Sequence, residues 1–206
     1  LKFFLKFFQN HGLFKLKNRP QWFTVSNRSR TYVNKILSKI SGEYYKNYKI
    51  NLIKRLSQGV QVFYGGNNEF FDYDKVVIAT HANEALSIIE KPLDEEREVL
   101  SNFNYKENIA IIHTDEKIMP KNKNVWSSWN SHIRLENPEI NSLTYWLNVL
   151  QNLKFDKNIF LTLNPISQIS ENKILKKVKF THPYFDQKAL DNQKKLNFLQ
   201  NKKNIL

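Results

Sequence analysis

The apolar positions along this chain change period several times, and each change marks a predicted element. Over residues 1–11, Lys recurs among Phe and Leu at helical spacing, and Gly12 suits the stop that follows. "NRPQW" reads as a loop leading to a short extended piece, Trp22–Val25. From about Ser29 a stripe of Val33, Ile36, Leu37 and Ile40 follows the i, i+3, i+4, i+7 rule, with Ser29 as the expected N-cap. "KINLIKRL" then alternates as a strand, with Ile50, Leu52 and Leu56 on one side. "GVQVFY", "GGNN" and "EFFDYD" make a hairpin pattern, in which Gly65-Gly66 and Asn67-Asn68 accept positive φ.

The stretch "YDKVVIATHANEAL" stands apart. Val76, Val77, Ile78 and Ala79 are apolar at consecutive positions, which predicts a strand over 75–80 covered on both faces, as in a parallel sheet between helices. It stops on Thr80-His81 and passes at once into a helix. In open α/β sheets, ligands sit beyond the carboxyl ends of such strands. A small residue and a hydroxyl there, Ala79 and Thr80, suit a close-approaching ligand. An ordinary strand-to-helix turn capped by Thr80 or Asn83 fits the same residues.

From Pro92 the texture changes. "PLDEEREVLSNF" is a helix with Asp94, Glu95 and Glu96 in its first turn, where they complement the helix dipole. Strand-like runs follow at 108–114, 124–130, 142–150, 158–164 and 174–182, without helices between them, which predicts an antiparallel sheet in a second layer or domain. "FDQKALDNQKKLNFLQ" closes as a helix with Ala189, Leu190, Leu196 and Phe198 toward a core. The expected fold class is α/β plus α+β. No internal repeat is present.

Composition narrows the function classes. At 206 residues with 41% hydrophobic and 14% aromatic content, the chain is long and apolar enough for a sizeable core. The absence of cysteine excludes a disulfide framework and thiolate metal sites, and it fits a reducing, cytoplasmic setting. The net charge of +13 invites a nucleic-acid partner. Against that, the lysines run the length of the chain, and no arginine-rich arm or zinc-finger spacing occurs, so no nucleic acid is expected. The basic, Phe-rich N-terminus allows peripheral contact with a membrane. His11, His81, His113, His132 and His182 share no metal-binding spacing. Of these, His81 is the best placed for a functional contact.

"RPQW", "YDKVVIATHANEAL", "HTDEKIMP", "WSSWN", "LTYWLNVLQNL", "FLTLNP" and "THPYFDQKAL" occur in this order along nearly the whole chain. In these blocks the sequence resembles the flavin-containing amine oxidoreductases, in a branch of bacterial proteins described as NAD/FAD-binding. The resemblance implies a two-domain flavoprotein of monoamine-oxidase type, with a Rossmann-like FAD-binding domain and a mixed, largely antiparallel sheet roofing the flavin. It divides the chain into 1–25, a helical and loop segment of the substrate domain; 26–90, part of the FAD-binding domain; and 91–206, the substrate-domain sheet and helices. Its G-x-G-x-x-G motif and its C-terminal glycine-rich segment do not occur here, so the chain is expected to be an internal fragment whose partners are the N- and C-terminal parts of the same protein. The resemblance places Ala79, Thr80 and His81 near the adenosine half of FAD, and Ile53 against adenine through side chain and backbone. A Gly-Gly-Ser stretch typical of the family is here Asn27-Arg28-Ser29, and the loss of both glycines argues against positive φ at that loop.

The implied activity is hydride transfer from a small-molecule substrate to the flavin, chemistry that belongs to the cofactor and asks for few acid–base residues. Trp126, Trp129, Tyr145 and Trp146 are the candidate substrate-pocket walls, with alternation allowing only one of Tyr145 and Trp146 to face a given space. Two other readings remain: a degenerate flavoprotein-like domain without catalysis, and a basic module that binds anionic lipid or nucleic acid.

Overall fold

A computed structural model describes every residue except Leu1, Trp22, Asn67 and Asn68, and divides the chain into two compact units, residues 1–45 and 46–206. The expected extended piece at Trp22 and the middle of the expected hairpin turn therefore lie partly outside the described residues.

The first unit holds two helices, α1 (Lys2–Asn10) and α2 (Ser29–Leu37). Gly12 ends the first with φ 64°, as expected. Arg28, not Ser29, occupies the N-cap position of α2. Asn27 and Arg28 both take positive φ, 60° and 69°, so the loop keeps a glycine-like path although neither glycine is there. The expectation against positive φ at this loop is thereby corrected. Thr31 helps hold it, donating its hydroxyl to the Asn27 carbonyl at 3.1 Å.

The second unit begins with an antiparallel sheet of β1 (Ile50–Arg55), β2 (Val60–Tyr64) and β3 (Glu69–Tyr73) in sequential order. Ile53 pairs with Val62, which pairs with Phe71. A register shift between Ile50 and Leu52 turns Ile53 inward, rather than the expected Ile50–Leu52 face. Ile53, Val60, Val62, Ile89 and Ile205 form the core here, with Val76 and Ile78 packed against it. Gly59 is required at the β1–β2 turn: its φ is 81°, and a Cβ would come within 2.5 Å of the Tyr73 carbonyl oxygen.

Residues 75–80 are extended but pair on one side only. Val76 bridges Ile205 in parallel, with the Val76 and Ile78 N–H groups donating to the Asn204 and Leu206 carbonyls. Val76 and Ile78 turn inward, whereas Val77 is 71% exposed. This corrects the expectation of a segment buried on both faces. Consecutive apolar residues mark a two-sided strand only where both faces are covered, and among the described residues one is. The parallel pairings, here and at Ile53–Ile89, are isolated bridges; both named sheets are antiparallel.

Two short helices follow, α3 (Ala82–Ile88) and α4 (Asp94–Leu100). Next comes a five-stranded antiparallel sheet of β4 (Asn104–His113), β5 (Trp129–Arg134), β6 (Asn137–Trp146), β7 (Phe160–Leu163) and β8 (Ile174–Tyr184), in the order β5-β6-β7-β4-β8. The expected antiparallel second layer is present. Residues 123–125 form a single 3-10 turn in place of the start of the expected 124–130 strand. A four-residue helix α5 (Leu147–Leu150) replaces the end of the 142–150 run. Helix α6 (Gln187–Gln193) closes the unit, its N-terminus capped by the Asp186 carboxylate accepting the Ala189 N–H at 2.8 Å. Ala189 is buried as expected, but Phe198, expected toward the core, is 74% exposed, and Leu199 beside it is buried.

Candidate functional site

The extended segment 76–78 and the last three residues run side by side and end beside α3. A cavity of about 360 Å³ opens there, lined by Ile78, Thr80, Tyr105, Gln200, Leu206 and the buried Glu96 among others. Its wall is mainly aliphatic with a few polar groups, the usual make-up of a small-molecule pocket. Thr80 is among the lining residues, and its hydroxyl donates a local bond to the His81 carbonyl at 3.2 Å. Ala79 is exposed beside it.

His81 occupies the N-cap position of α3 but makes no side-chain cap. Neither Thr80 nor Asn83 supplies one. The Ala82 N–H donates instead to the Tyr105 hydroxyl at 2.7 Å, across 23 residues of sequence. The His81 ring stacks on the Tyr105 ring with centroids 4.5 Å apart, and its Nδ1 lies 3.3 Å from the Thr181 hydroxyl. His81 also borders a second, open hollow with Glu107, Lys179 and His182. In that hollow Lys179 pairs with Glu107 at 2.9 Å.

Ile53 sits elsewhere. Its side chain is 2% exposed in the core, and its carbonyl accepts the Glu90 N–H at 3.0 Å. It stands inside the fold.

The four aromatic candidates divide between the two faces of the large sheet. Trp129 and Tyr145 are register partners, with rings 5.8 Å apart on one face. Burial raises the Tyr145 hydroxyl above its ordinary pKa. Trp146 projects to the opposite face, where it meets Trp126 edge to face at 5.3 Å, and Trp126 in turn meets Phe160 at 5.8 Å. Both indoles are satisfied, Trp126 donating to the Pro120 carbonyl and Trp146 to Asn158.

That second face carries a buried polar chain. His113, fully buried, accepts the Asp115 N–H at Nδ1 (3.1 Å), so its single proton is on Nε2 and donates to the Thr162 hydroxyl at 2.7 Å. Thr162 is 2.9 Å from the Thr144 hydroxyl, and Asn130 donates to the Thr144 carbonyl. Burial depresses the His113 pKa, partly offset by the Asp115 charge. Burial alone would raise the Asp115 carboxyl. Hydrogen bonds from Ser170, Lys173 and the Lys117 N–H instead hold it well below the usual carboxylate range. Each of His113, Asp115, Thr162, Thr144 and Asn130 has a partner, which marks this network as structural. Among the described residues no cluster of His, Asp and Glu is arranged to hold a metal.

Sequence reasoning did not single out Tyr105 or the last residues, Leu199–Leu206, yet both build the cavity. The apolar pair Ile205-Leu206 in a polar tail was the available signal.

No protein-family model matches the chain, and no curated protein matches it at a significant level. Solved structures do resemble it. A CLA-producing fatty acid isomerase from P. acnes superimposes with a TM-score of 0.57 at 12% identity, over 86% of this chain and 46% of that one. A double mutant of putrescine oxidase, made in a structure-based redesign of its cofactor binding, gives 0.55 at 9% identity, over 87% and 46%. The fold is thus shared with an isomerase and an oxidase, and this chain spans about half the length of either.

Proposed function

We propose that this chain is part of an FAD-dependent oxidoreductase of amine-oxidase type, in which the segment closing at Ala79-Thr80 walls the site for the adenosine half of the cofactor. The cavity at that point carries the reading: it lies at the carboxyl end of an extended segment with a parallel neighbour, where α/β sheets take their ligands. The fold shared with an oxidase over 87% of the chain supports it, as do the ordered sequence blocks. At about 360 Å³ the cavity stands at the small end of ligand pockets, roughly 300–1,000 Å³. It suits a nucleoside and not a whole dinucleotide. The pyrophosphate and flavin contacts then come from polypeptide outside these 206 residues.

The flavin, when bound, supplies the hydride acceptor. The chain's own groups bind and orient. Thr80 offers a hydroxyl to the nucleoside, with His81 beside it. Trp129 and Tyr145, on one face of the large sheet, offer an aromatic wall to an apolar or cationic substrate. Trp126 and Trp146 brace the other face.

The test is the absorbance of the full-length protein in the flavin bands, with the rise in Tm when FAD is added to the stripped protein. Both are expected, and Thr80→Trp, which fills the cavity from an exposed position, should abolish the FAD-induced rise without lowering the starting Tm. A second reading, a flavoprotein-like domain that binds no cofactor, is favoured by Ile53 lying in the core. A colourless full-length protein with no FAD-induced rise selects that reading and sinks the first.

A further inference from the structure

The first unit has a charge and an exposure that the oxidoreductase reading leaves unused. Residues 1–42 contain nine Lys and Arg and not one Asp or Glu; with Glu43 included, residues 1–45 carry +8 of the chain's +13. At about 100° per residue, α1 sets Lys6, Gln9 and Asn10 in one narrow sector and Phe4, Leu5, Phe7 and Phe8 around the remainder. Phe8 is half-buried between Phe4 and Phe14, at 4.2 and 5.4 Å. That aromatic nucleus stiffens the helix and the turn after it. The other apolar groups stay in solvent: Phe4 and Phe14 are 53% and 55% exposed, and Leu16, between Lys15 and Lys17, is 89% exposed. In α2, Val33, Ile36 and the following Ile40 keep helical spacing and also remain exposed.

So many exposed apolar groups within one short unit mark an interaction site. Charge selects the partner. A second copy would set +8 against +8. A nucleic acid would neutralise the lysines and leave the phenyl groups wet. An anionic lipid surface satisfies both, because apolar side chains enter the boundary of the acyl region while ammonium groups stay at the headgroup phosphates. We infer that residues 1–45 form an interfacial anchor that docks the protein on anionic membrane without crossing it. No helix among the described residues is long and apolar enough to cross.

The experiment is flotation of the full-length protein with phosphatidylserine–phosphatidylcholine vesicles against pure phosphatidylcholine vesicles. Association with the anionic vesicles is expected, weakened by salt as screening shortens. The variant Lys6→Glu/Lys15→Glu/Lys17→Glu should lose about 100-fold or more in partitioning. Leu16→Trp is uncharged and sits at an exposed position, so it leaves folding intact. Its fluorescence, taken against the parent chain, should shift to the blue on anionic vesicles. No flotation at low ionic strength, an unchanged emission, or equal retention of the charge-reversed variant each overturns the proposal. Tighter binding to RNA than to vesicles, indifferent to Phe4→Ser, overturns it too and hands the surface to nucleic acid.

Discussion

The hydroxyl of Tyr105 accepts the Ala82 N–H at 2.7 Å while its ring stacks on that of His81, 4.5 Å between centroids. One side chain on β4 thus finishes a helix that its own sequence leaves uncapped. The first N–H groups of any helix lack intrahelical partners, and α3, with seven residues, has little length over which to absorb that cost. The contact also fixes the turn that carries Thr80 against the large sheet, and both residues line the cavity.

Replacing Tyr105 by Phe keeps the stack and removes the cap. A loss of about 1 kcal/mol in urea unfolding is expected, the worth of a typical cap. Tyr105→Ala, which removes the stack as well, should cost more. Equal stabilities of Tyr105→Phe and the parent would show that water replaces the hydroxyl.

Arg55 and Glu96 form a second long-range tie at the same cavity. The pair is nearly enclosed, at 12% and 4% side-chain exposure, and Glu96 also accepts the Leu93 N–H at 2.8 Å while Arg55 donates to the Lys91 carbonyl. Removing one partner strands a charge. Glu96→Leu or Arg55→Met alone should cost about 3–5 kcal/mol, whereas the double replacement should recover most of the loss. Chemical denaturation of the four proteins closes the cycle, and additive losses would refute the coupling.

The sequence revealed local periodicity well and long-range pairing poorly. Helix α4 was legible because three carboxylates at 94–96 precede an apolar stripe, and the hairpin of β2 and β3 because alternation brackets Gly65-Gly66. The 75–80 segment misled, since Val77 is apolar yet exposed; solvation there depends on which chain lies alongside, a fact that local pattern does not carry. The turn joining β5 to β6 was missed because its Leu135 and Glu136 resemble neither a glycine turn nor a polar loop. At the cavity, Thr80 was legible as a lining residue from its place after an apolar run, while His81, singled out with it, borders the neighbouring hollow. Tyr105, Glu96 and Leu206 were not, because each reaches the cavity by tertiary packing from distant sequence.

Arg28 holds φ 69° and ψ −177°, a region open to glycine and strained for any residue with a Cβ. Its helix starts only if that strain is met. Arg28→Gly should stabilise residues 1–45 by about 1 kcal/mol, the relief of strain outweighing the extra freedom of the unfolded chain. Asn27→Gly should change little, because Asn tolerates the left-handed region. Slower hydrogen exchange of the α2 amides in Arg28→Gly checks the first, and unaltered exchange would contradict it.

The 206-residue chain by itself should bind FAD weakly, since its cavity of about 360 Å³ has room for a nucleoside at most and no G-x-G-x-x-G motif occurs in its sequence. Titration of FAD into the isolated chain should give a dissociation constant well above the micromolar range. AMP should bind nearly as well as FAD, because both would use only the Thr80 wall. Micromolar FAD affinity, or FAD far exceeding AMP, would place the missing contacts inside this chain.

Acid should loosen the second unit in two stages. His113 is neutral in the fold with its pKa below the ordinary 6.5, so its contribution is complete above that value and fades as pH falls beneath it. Protonation would add a proton at Nδ1, where the ring must accept the Asp115 N–H. Asp115, ionised and held below its ordinary 3.8, contributes until pH drops under that value and loses its hold on Ser170 and Lys173 only lower still. The urea midpoint should therefore decline from about pH 6.5 downward and fall again below about pH 4. His113→Gln, whatever its effect on absolute stability, should flatten the upper stage and leave the lower. Thr162→Val, which strands the Nε2 proton, should cost about 1–3 kcal/mol at neutral pH. The upper stage should persist or deepen, because the Nε2 proton is present in both protonation states and the imidazolium loses the stronger bond. An upper stage that survives in His113→Gln would assign it to another group and remove this histidine from the account.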